Sequence, residues 1–226
     1  MTKMNYLSQK GQDRWVIEEA LPERRSGYFV DLAATDGVTI NNTLLLEREL
    51  GWSGIAIEPN RDFFVQLSRD RNCLSICACV DGHAHAVTFL PNGELGGIID
   101  GDTDNTPALR ASLISEWQAS GKLQVLQTVT LAEILDMHQA PPVIDYLSLD
   151  VEGAETRIMR TFPFDRYRFL AMTIERPTAE LNQLLFANDY MFVRNASMDG
   201  FYLHRSAPTA GVIAREPFEQ IPVKDW

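Results

Sequence analysis

The stretch Phe29-Val30-Asp31-Leu32-Ala33-Ala34-Thr35-Asp36-Gly37 decides how the rest of the chain is read. An apolar run passes straight into small and turn-forming residues, and a helical pattern begins near Asn41 or Asn42, so the segment reads as strand, turn and helix. In a doubly wound sheet such a turn sits at the carboxyl end of the first strand. Small residues there let a ligand approach the backbone, and the helix start offers unpaired N–H groups. The spacing GxGxxG that would cradle a pyrophosphate is missing, which argues against an oxidoreductase built on a dinucleotide.

Working outward, Tyr28 to Leu32 is the first strand, and Leu44, Leu45, Leu46 and Leu50 stripe a helix that stops at Gly51. Gly54 to Ile57 forms a second apolar run closing on Glu58, one strand-helix-strand unit after Asp31. A carboxylate at that point can accept bonds from both hydroxyls of a ribose. A helix from about Asp62 to Asp70 leads to a strand Leu74 to Val80 and an added strand Ala86 to Leu90. Asn92 to Pro107 is then rich in Gly, Asp, Asn and Thr before a helix from Ala108 to Ala119. Long irregular segments inside compact domains are uncommon unless functional, so residues 91–122 are expected to form a lid or insert over a pocket.

The alternation resumes with Val125 to Val129, a helix Leu131 to Met137, and the run Ile144 to Leu149 ending on Asp150. Helix Ala154 to Phe162, strand Phe169 to Ile174 and helix Thr178 to Ala187 follow. Tyr190 to Arg194 and Phe201 to Arg205 read as an antiparallel pair. The expectation is an α/β, Rossmann-like fold with a mostly parallel seven-stranded sheet and an antiparallel C-terminal hairpin. Residues 1–226 would form one domain, with a helical segment over 1–27 covering the site and an irregular tail over 207–226 that packs on the body or mediates homo-oligomer formation.

Composition narrows the partners. A formal charge of -11 argues against recognition of nucleic acid through its phosphates. No apolar run is long enough for a membrane span and the N-terminus lacks an apolar signal region, so the expected location is the cytoplasm, with no membrane partner. Cys73, Cys77 and Cys79 are odd in number, and Cys77 and Cys79 alternate so as to share one buried strand face; His83 and His85 are the only nearby residues that would make them a metal site. Asp100-Gly101-Asp102-Thr103-Asp104 opens like a calcium loop, but Asn105 and Ala111 stand where glycine and glutamate are needed.

A second cluster is Asp145-Tyr146-Leu147-Ser148-Leu149-Asp150-Val151-Glu152-Gly153-Ala154-Glu155. An apolar strand here delivers three carboxylates to its carboxyl end, where like charges raise pKa values toward those of a general base. Asp150 and Glu152 are the catalytic candidates, and Glu155 is read as complementing the dipole of the following helix. Asp150 and Glu175 end neighbouring strands, so a divalent cation shared between them is carried as a variant. His204, in an apparent strand, is a weaker candidate for the base.

Taken in order, Ser8-Gln9-Lys10-Gly11-Gln12-Asp13, Phe29 to Gly37, Asn42-Thr43, Gly51-Trp52-Ser53-Gly54, Ile57-Glu58-Pro59-Asn60, Leu147 to Glu155 and Ile174-Glu175 resemble the FkbM methyltransferases. The resemblance implies a class I fold using S-adenosylmethionine to methylate hydroxyls on sugars or natural products. It would place Asp31 and Ala33 under the methionine part of that cofactor, with the turn residues Asp36 and Gly37 and the helix-start Asn42 alongside. Glu58 and Pro59 would hold the ribose, Val80 and Asp81 would border the adenine, and Asp150 would close the methyl-transfer pocket. A small-molecule or saccharide acceptor would then meet Gln9, Asp13, Glu175 and His204. Ala33 and Thr35 depart from the glycine and asparagine usual at those positions, and a noncatalytic binding protein that keeps the fold is the alternative they support.

Overall fold

The computed structural model describes residues 4–222; the outermost residues of the expected N-terminal segment and tail lie outside them. The chain opens with α1 (Gln12–Trp15), which continues as a π-helical turn over Val16–Ala20. β1 (Tyr28–Leu32), α2 (Leu44–Leu50), β2 (Ser53–Ile57), α3 (Arg61–Asp70) and β3 (Leu74–Ile76) form two successive parallel units. α2 ends because Gly51 turns left-handed at φ 67 and returns its N–H to Leu46. α3 begins where the Asn60 side chain accepts the Asp62 N–H.

β4 (Cys79–Val80), β5 (Ala86–Leu90), β6 (Gly97–Ile98), α4 (Pro107–Ala119), β7 (Gln124–Val129) and α5 (Leu131–Met137) come next. Then follow β8 (Val143–Leu149), α6 (Glu155–Arg160), β9 (Arg168–Glu175), α7 (Ala179–Ala187), β10 (Tyr190–Ala196) and β11 (Asp199–His204). The main sheet has the seven strands expected from the sequence, and their order is β10-β11-β9-β8-β1-β2-β3. β11 runs antiparallel to both of its neighbours and inserts between β9 and β10. β1 pairs with β2 on one side and β8 on the other, so the crevice at its carboxyl end is the switch point of the sheet.

The expected strand from Leu74 to Val80 is broken. β3 pairs with β2, whereas β4 joins a second sheet in the order β4-β7-β5-β6. Cys77 lies exposed in the break while Cys79 is buried, so the two do not share a buried face. An apolar run carries no mark of where a strand changes partner, which is why the division escapes a periodicity argument. β6 likewise arises inside the irregular insert, where two residues pair with the end of β5.

Two apolar layers flank the main sheet. Val30, Ile55, Leu147 and Met172 face one layer with Leu135, Ile158 and Leu181. Phe29, Tyr146, Ala171 and Phe201 face the other with Trp15, Val16 and Leu46. Neighbouring strand residues therefore go to opposite faces, as the pleat requires. The N-terminal helical segment covers a sheet face, and its Gln12 reaches the edge where the strand ends gather, through Asp199. Among the described residues no helix is long and apolar enough to cross a membrane.

Candidate functional site

β1 exits into a turn with three left-handed residues, Ala33 at φ 62, Thr35 at φ 50 and Gly37 at φ 77. Glu58, at the end of β2, holds this turn: one oxygen accepts the Thr35 N–H at 2.9 Å and the other the Asn60 N–H at 2.7 Å. Burial pushes the Glu58 carboxyl up to about 7. Asp36 accepts the N–H groups of Val38 and Thr39 at 2.8 and 2.7 Å and so shapes the turn from outside. At Gly37 a Cβ would lie 2.5 Å from the Leu67 side chain, so glycine is required by packing as well as by φ. Asp36 and Gly37 thus brace the loop, and Glu58 holds it from between Ile57 and Pro59, which border the cleft.

Ala33 does line it, and its left-handed backbone is the conformation that a Cβ disfavours by about 1–2 kcal/mol. Ala33→Gly is therefore expected to be stabilising, by about 0.5 kcal/mol after the greater chain entropy of glycine is set against the strain, or roughly 1–2 °C in Tm. A thermal melt that falls on this substitution would show that the alanine is unstrained.

Asp31 is buried and accepts bonds from Asn41 Nδ2 at 3.0 Å and Thr43 Oγ1 at 2.7 Å. Burial raises its pKa, opposed first by Arg71. The Arg71 side chain is fully enclosed and its guanidinium reaches Glu47 at 3.1 Å, Asn41 Oδ1 at 3.1 Å, Thr43 at 3.0 Å and the Gly37 carbonyl at 3.1 Å. Arg71 has no place in the sequence reading, where Asn41 enters only as a helix start and Thr43 only within the pair Asn42-Thr43. Asn41 and Thr43 carry a legible signal as polar residues before a helix, whereas Arg71 arrives from the far end of α3 with no local mark. Asn42 donates to Ser148 Oγ at 2.9 Å, while its Oδ1 is buried with no hydrogen-bond partner.

The cleft has two halves that meet at Ala33 and Gly96. One, of about 530 Å³, is polar and bordered by Asp31, Thr35, Asn42, Ser148 and Asp150. The other, of about 380 Å³, is apolar and bordered by Leu32, Ile57, Pro59, Val80, Phe89 and Ile98. Gly96, which belongs to the 91–122 segment, borders both halves, and Glu94 borders the polar one. Asp81 stands behind the apolar half, paired with the Arg157 guanidinium at 3.0 Å.

Beyond Asp150 the strand ends gather carboxylates. Oxygens of Asp150, Glu155 and Glu175 lie within 4.8 Å of one another, as do those of Asp104, Glu152 and Glu175. Burial, then the charge of Asp150, raises Glu175 strongly, and a hydrogen bond joins the two carboxyls. Asp150 is solvent-accessible through the cleft but packed among protein atoms on its other sides; this desolvation raises its pKa while the Glu175 bond opposes the rise. Glu155 accepts the N–H groups of Val151 at 2.9 Å and Gly153 at 3.3 Å, and burial pushes it up to about 7. Either trio offers the hard oxygen ligands a divalent cation takes, but in the second trio Arg176 already supplies positive charge.

The acceptor-side candidates separate. Gln9 is exposed, and Asp13 is buried accepting the N–H groups of Leu7 at 2.7 Å and Ser8 at 3.2 Å. It is Gln12 that touches the acidic end, donating to Asp199 at 2.5 Å, and Asp199 pairs in register with Glu175. Burial, then Asp150, pushes Asp199 up to about 7. His204 ends β11 at the opposite edge of the sheet, about 17 Å from Asp199 at the strand rise, with Nδ1 bonded to Ser206 at 2.8 Å. The antiparallel course of β11 therefore removes His204 from the site, a reversal that a strand pattern alone does not carry.

A model of the FkbM methyltransferase domain matches residues 31–196. The chain belongs to the FkbM methyltransferase family. Membership implies S-adenosylmethionine as the methyl donor, and the FkbM match runs from the first carboxylate of the cleft through the insert to the end of β10. A comparison with curated protein sequences found no match. Among solved structures, the METTL16 methyltransferase domain aligns over 84% of this FkbM chain and 64% of its own length, at 12% identity and TM-score 0.43. The chain thus spans less than two thirds of that relative. A precorrin-6y C5,15-methyltransferase from Geobacter metallireducens aligns over 89% of this chain and 92% of its own, at 10% identity and TM-score 0.44. The human methyltransferase 10 domain containing protein aligns over 84% and 78%, at 11% identity and TM-score 0.40.

Proposed function

We propose that this FkbM-family chain methylates a hydroxyl oxygen of a sugar or natural-product small molecule, using S-adenosylmethionine. The observation that carries the reading is the two-part cleft at the switch point, with an apolar half fit for a purine and a polar half fit for an amino acid. The orphaned Asn42 Oδ1 supports the fit, since a buried acceptor without a partner calls for a donor such as an ammonium group. Asp31, Asn42 and Ser148 would hold the amino-acid part, and Pro59 and Val80 the adenosine. Glu58 keeps lone pairs for ribose hydroxyls beyond the two N–H bonds it already accepts.

When bound, S-adenosylmethionine supplies an electrophilic methyl group on a sulfonium. The protein aligns the acceptor oxygen and removes its proton. Asp150 is the residue for that proton, because it borders the polar half and is open to solvent there, with Glu175 hydrogen-bonded behind it. Glu152 is buried and turned toward Arg176 and the insert.

Calorimetry with S-adenosylhomocysteine, followed by mass spectrometry of a panel of sugars and hydroxylated small molecules, tests the reading. Binding together with a new methyl ether is expected. Binding without transfer to any hydroxyl would favour the noncatalytic binding protein, for which the strained Ala33 speaks. No binding would overturn the cofactor assignment.

A further inference from the structure

Two arginines hold the insert against the body at separate points. Arg157 on α6 reaches Asp100 at 2.8 Å and Asp102 at 2.9 Å, and pairs with Asp81 at 3.0 Å. Arg176, the residue after β9, pairs with Asp104 of the insert, with Glu175 at 2.5 Å and with Glu152 at 3.7 Å. The main chain follows the same docking, since the Asp104 N–H donates to the Glu152 carbonyl at 3.0 Å. A Cβ at Gly153 would lie 2.6 Å from that same nitrogen, so the contact requires glycine there.

The anchors differ in their exposure to water. Asp100 and Asp102 are 52% and 62% exposed, so salt screens their attraction to Arg157. Arg176 is 15% exposed, and its partners Asp104, Glu152 and Glu175 are 19%, 7% and 11% exposed. Around it the backbone bends left-handed at Glu152, φ 56, at Gly153, φ 102, and at Arg176 itself, φ 43. Such conformations persist where surrounding structure holds them, and they gather at clamps and switches. Gly96 of the same insert borders both halves of the cleft, so a ligand filling both passes beneath it.

We propose that Arg176 is a positioning residue that couples docking of the insert over the cleft to placement of the acceptor-side carboxylates. Asp104 docks on the guanidinium, and the same guanidinium holds Glu152 and also Glu175, whose carboxylate lies within 4.8 Å of that of Asp150. The inference rests on the methyltransferase reading for its effect on turnover, but not for its effect on the insert.

Hydrogen exchange of residues 94–106 in the full chain tests the clamp without any ligand, beside release of S-adenosylhomocysteine and the kinetics of methyl transfer. Asp104→Asn and Arg176→Gln are each expected to raise exchange of the insert and the release rate by about tenfold. Asp104→Asn should act on KM with kcat kept, whereas Arg176→Gln should lower kcat as well, and Arg176→Lys should recover part of both losses. The Asp100→Asn, Asp102→Asn double variant should loosen the insert near those residues alone and leave kcat unchanged. Unchanged exchange in both Asp104→Asn and Arg176→Gln would overturn the proposal, as would a fall in kcat for Arg176→Gln with exchange unaltered. Should Arg176→Gln fail to fold, Asp104→Asn and Arg176→Lys carry the test. If the unaltered protein binds no S-adenosylhomocysteine, the cofactor reading fails while the exchange measurement still decides the clamp.

Discussion

Asp150→Asn is expected to lower kcat by about 10²- to 10⁴-fold, the range typical for loss of a positioned general base. The effect should fall on turnover and leave S-adenosylhomocysteine affinity nearly intact, because Asp31, Asn42 and the apolar half of the cleft are untouched. Asparagine matches the shape of aspartate, so the loss reports the proton and not the packing. Glu175→Gln keeps a hydrogen bond to Asp150 and should cost far less. Glu152→Gln should cost about tenfold or less, acting through Arg176. Steady-state kinetics on all three variants checks the assignment. A large loss at Glu152 with a small one at Asp150 would exchange their roles.

Thermal stability is expected to fall as pH rises from 6 to 8. Glu58, Glu155 and Asp199 are each pushed up to about 7 by burial, above the ordinary carboxylate value they regain on unfolding. In the window from about 4.5 to 7 the folded chain therefore binds more protons than the unfolded one, so the slope of stability against pH is negative. The contribution is full below the unfolded pKa and is lost as pH passes through 7. All three groups are at least nine-tenths enclosed, and the part lost between pH 6 and 8 is on the order of 2 kcal/mol, or roughly 4–8 °C in Tm. Melts at several pH values check this, and Glu155→Gln should flatten the curve. A Tm that holds level or rises over that interval would contradict the burial argument.

The fold was largely legible because its signals are local. β1, α2 and α5 coincide with the hydrophobic runs and stripes that define them, and Gly51 and Asn60 mark helix ends by their chemistry. The cleft was legible in the same way, since Asp31, Ala33, Asn42 and Asp150 sit where strand ends must converge. Features that depend on one distant segment meeting another stayed hidden. Arg71 beneath Asn41 and Thr43, Gln12 on Asp199 and Arg176 between Asp104 and Glu152 each join separate elements. His204 shows the converse: its residue type suggested chemistry, but the direction of β11 put it at the wrong edge. Glu58 shows a third case, in which the position was foreseen but its bonds to Thr35 and Asn60 were not.

The insertion of β11 between β9 and β10 sets an order on the birth of the molecule. Until residue 204 has left the ribosome, β9 and β10 have no ladder between them and the edge of β9 stays open to other chains. Asp199 then brings Glu175 its strand partner and Gln12 its bond across a separation of 187 residues. Such distant pairings form slowly, so the acidic end of the cleft is completed only once β11 has emerged, after the loop from β1 already has its neighbours. A nascent chain halted before β11 would carry the loop for the donor and lack the corner for the acceptor.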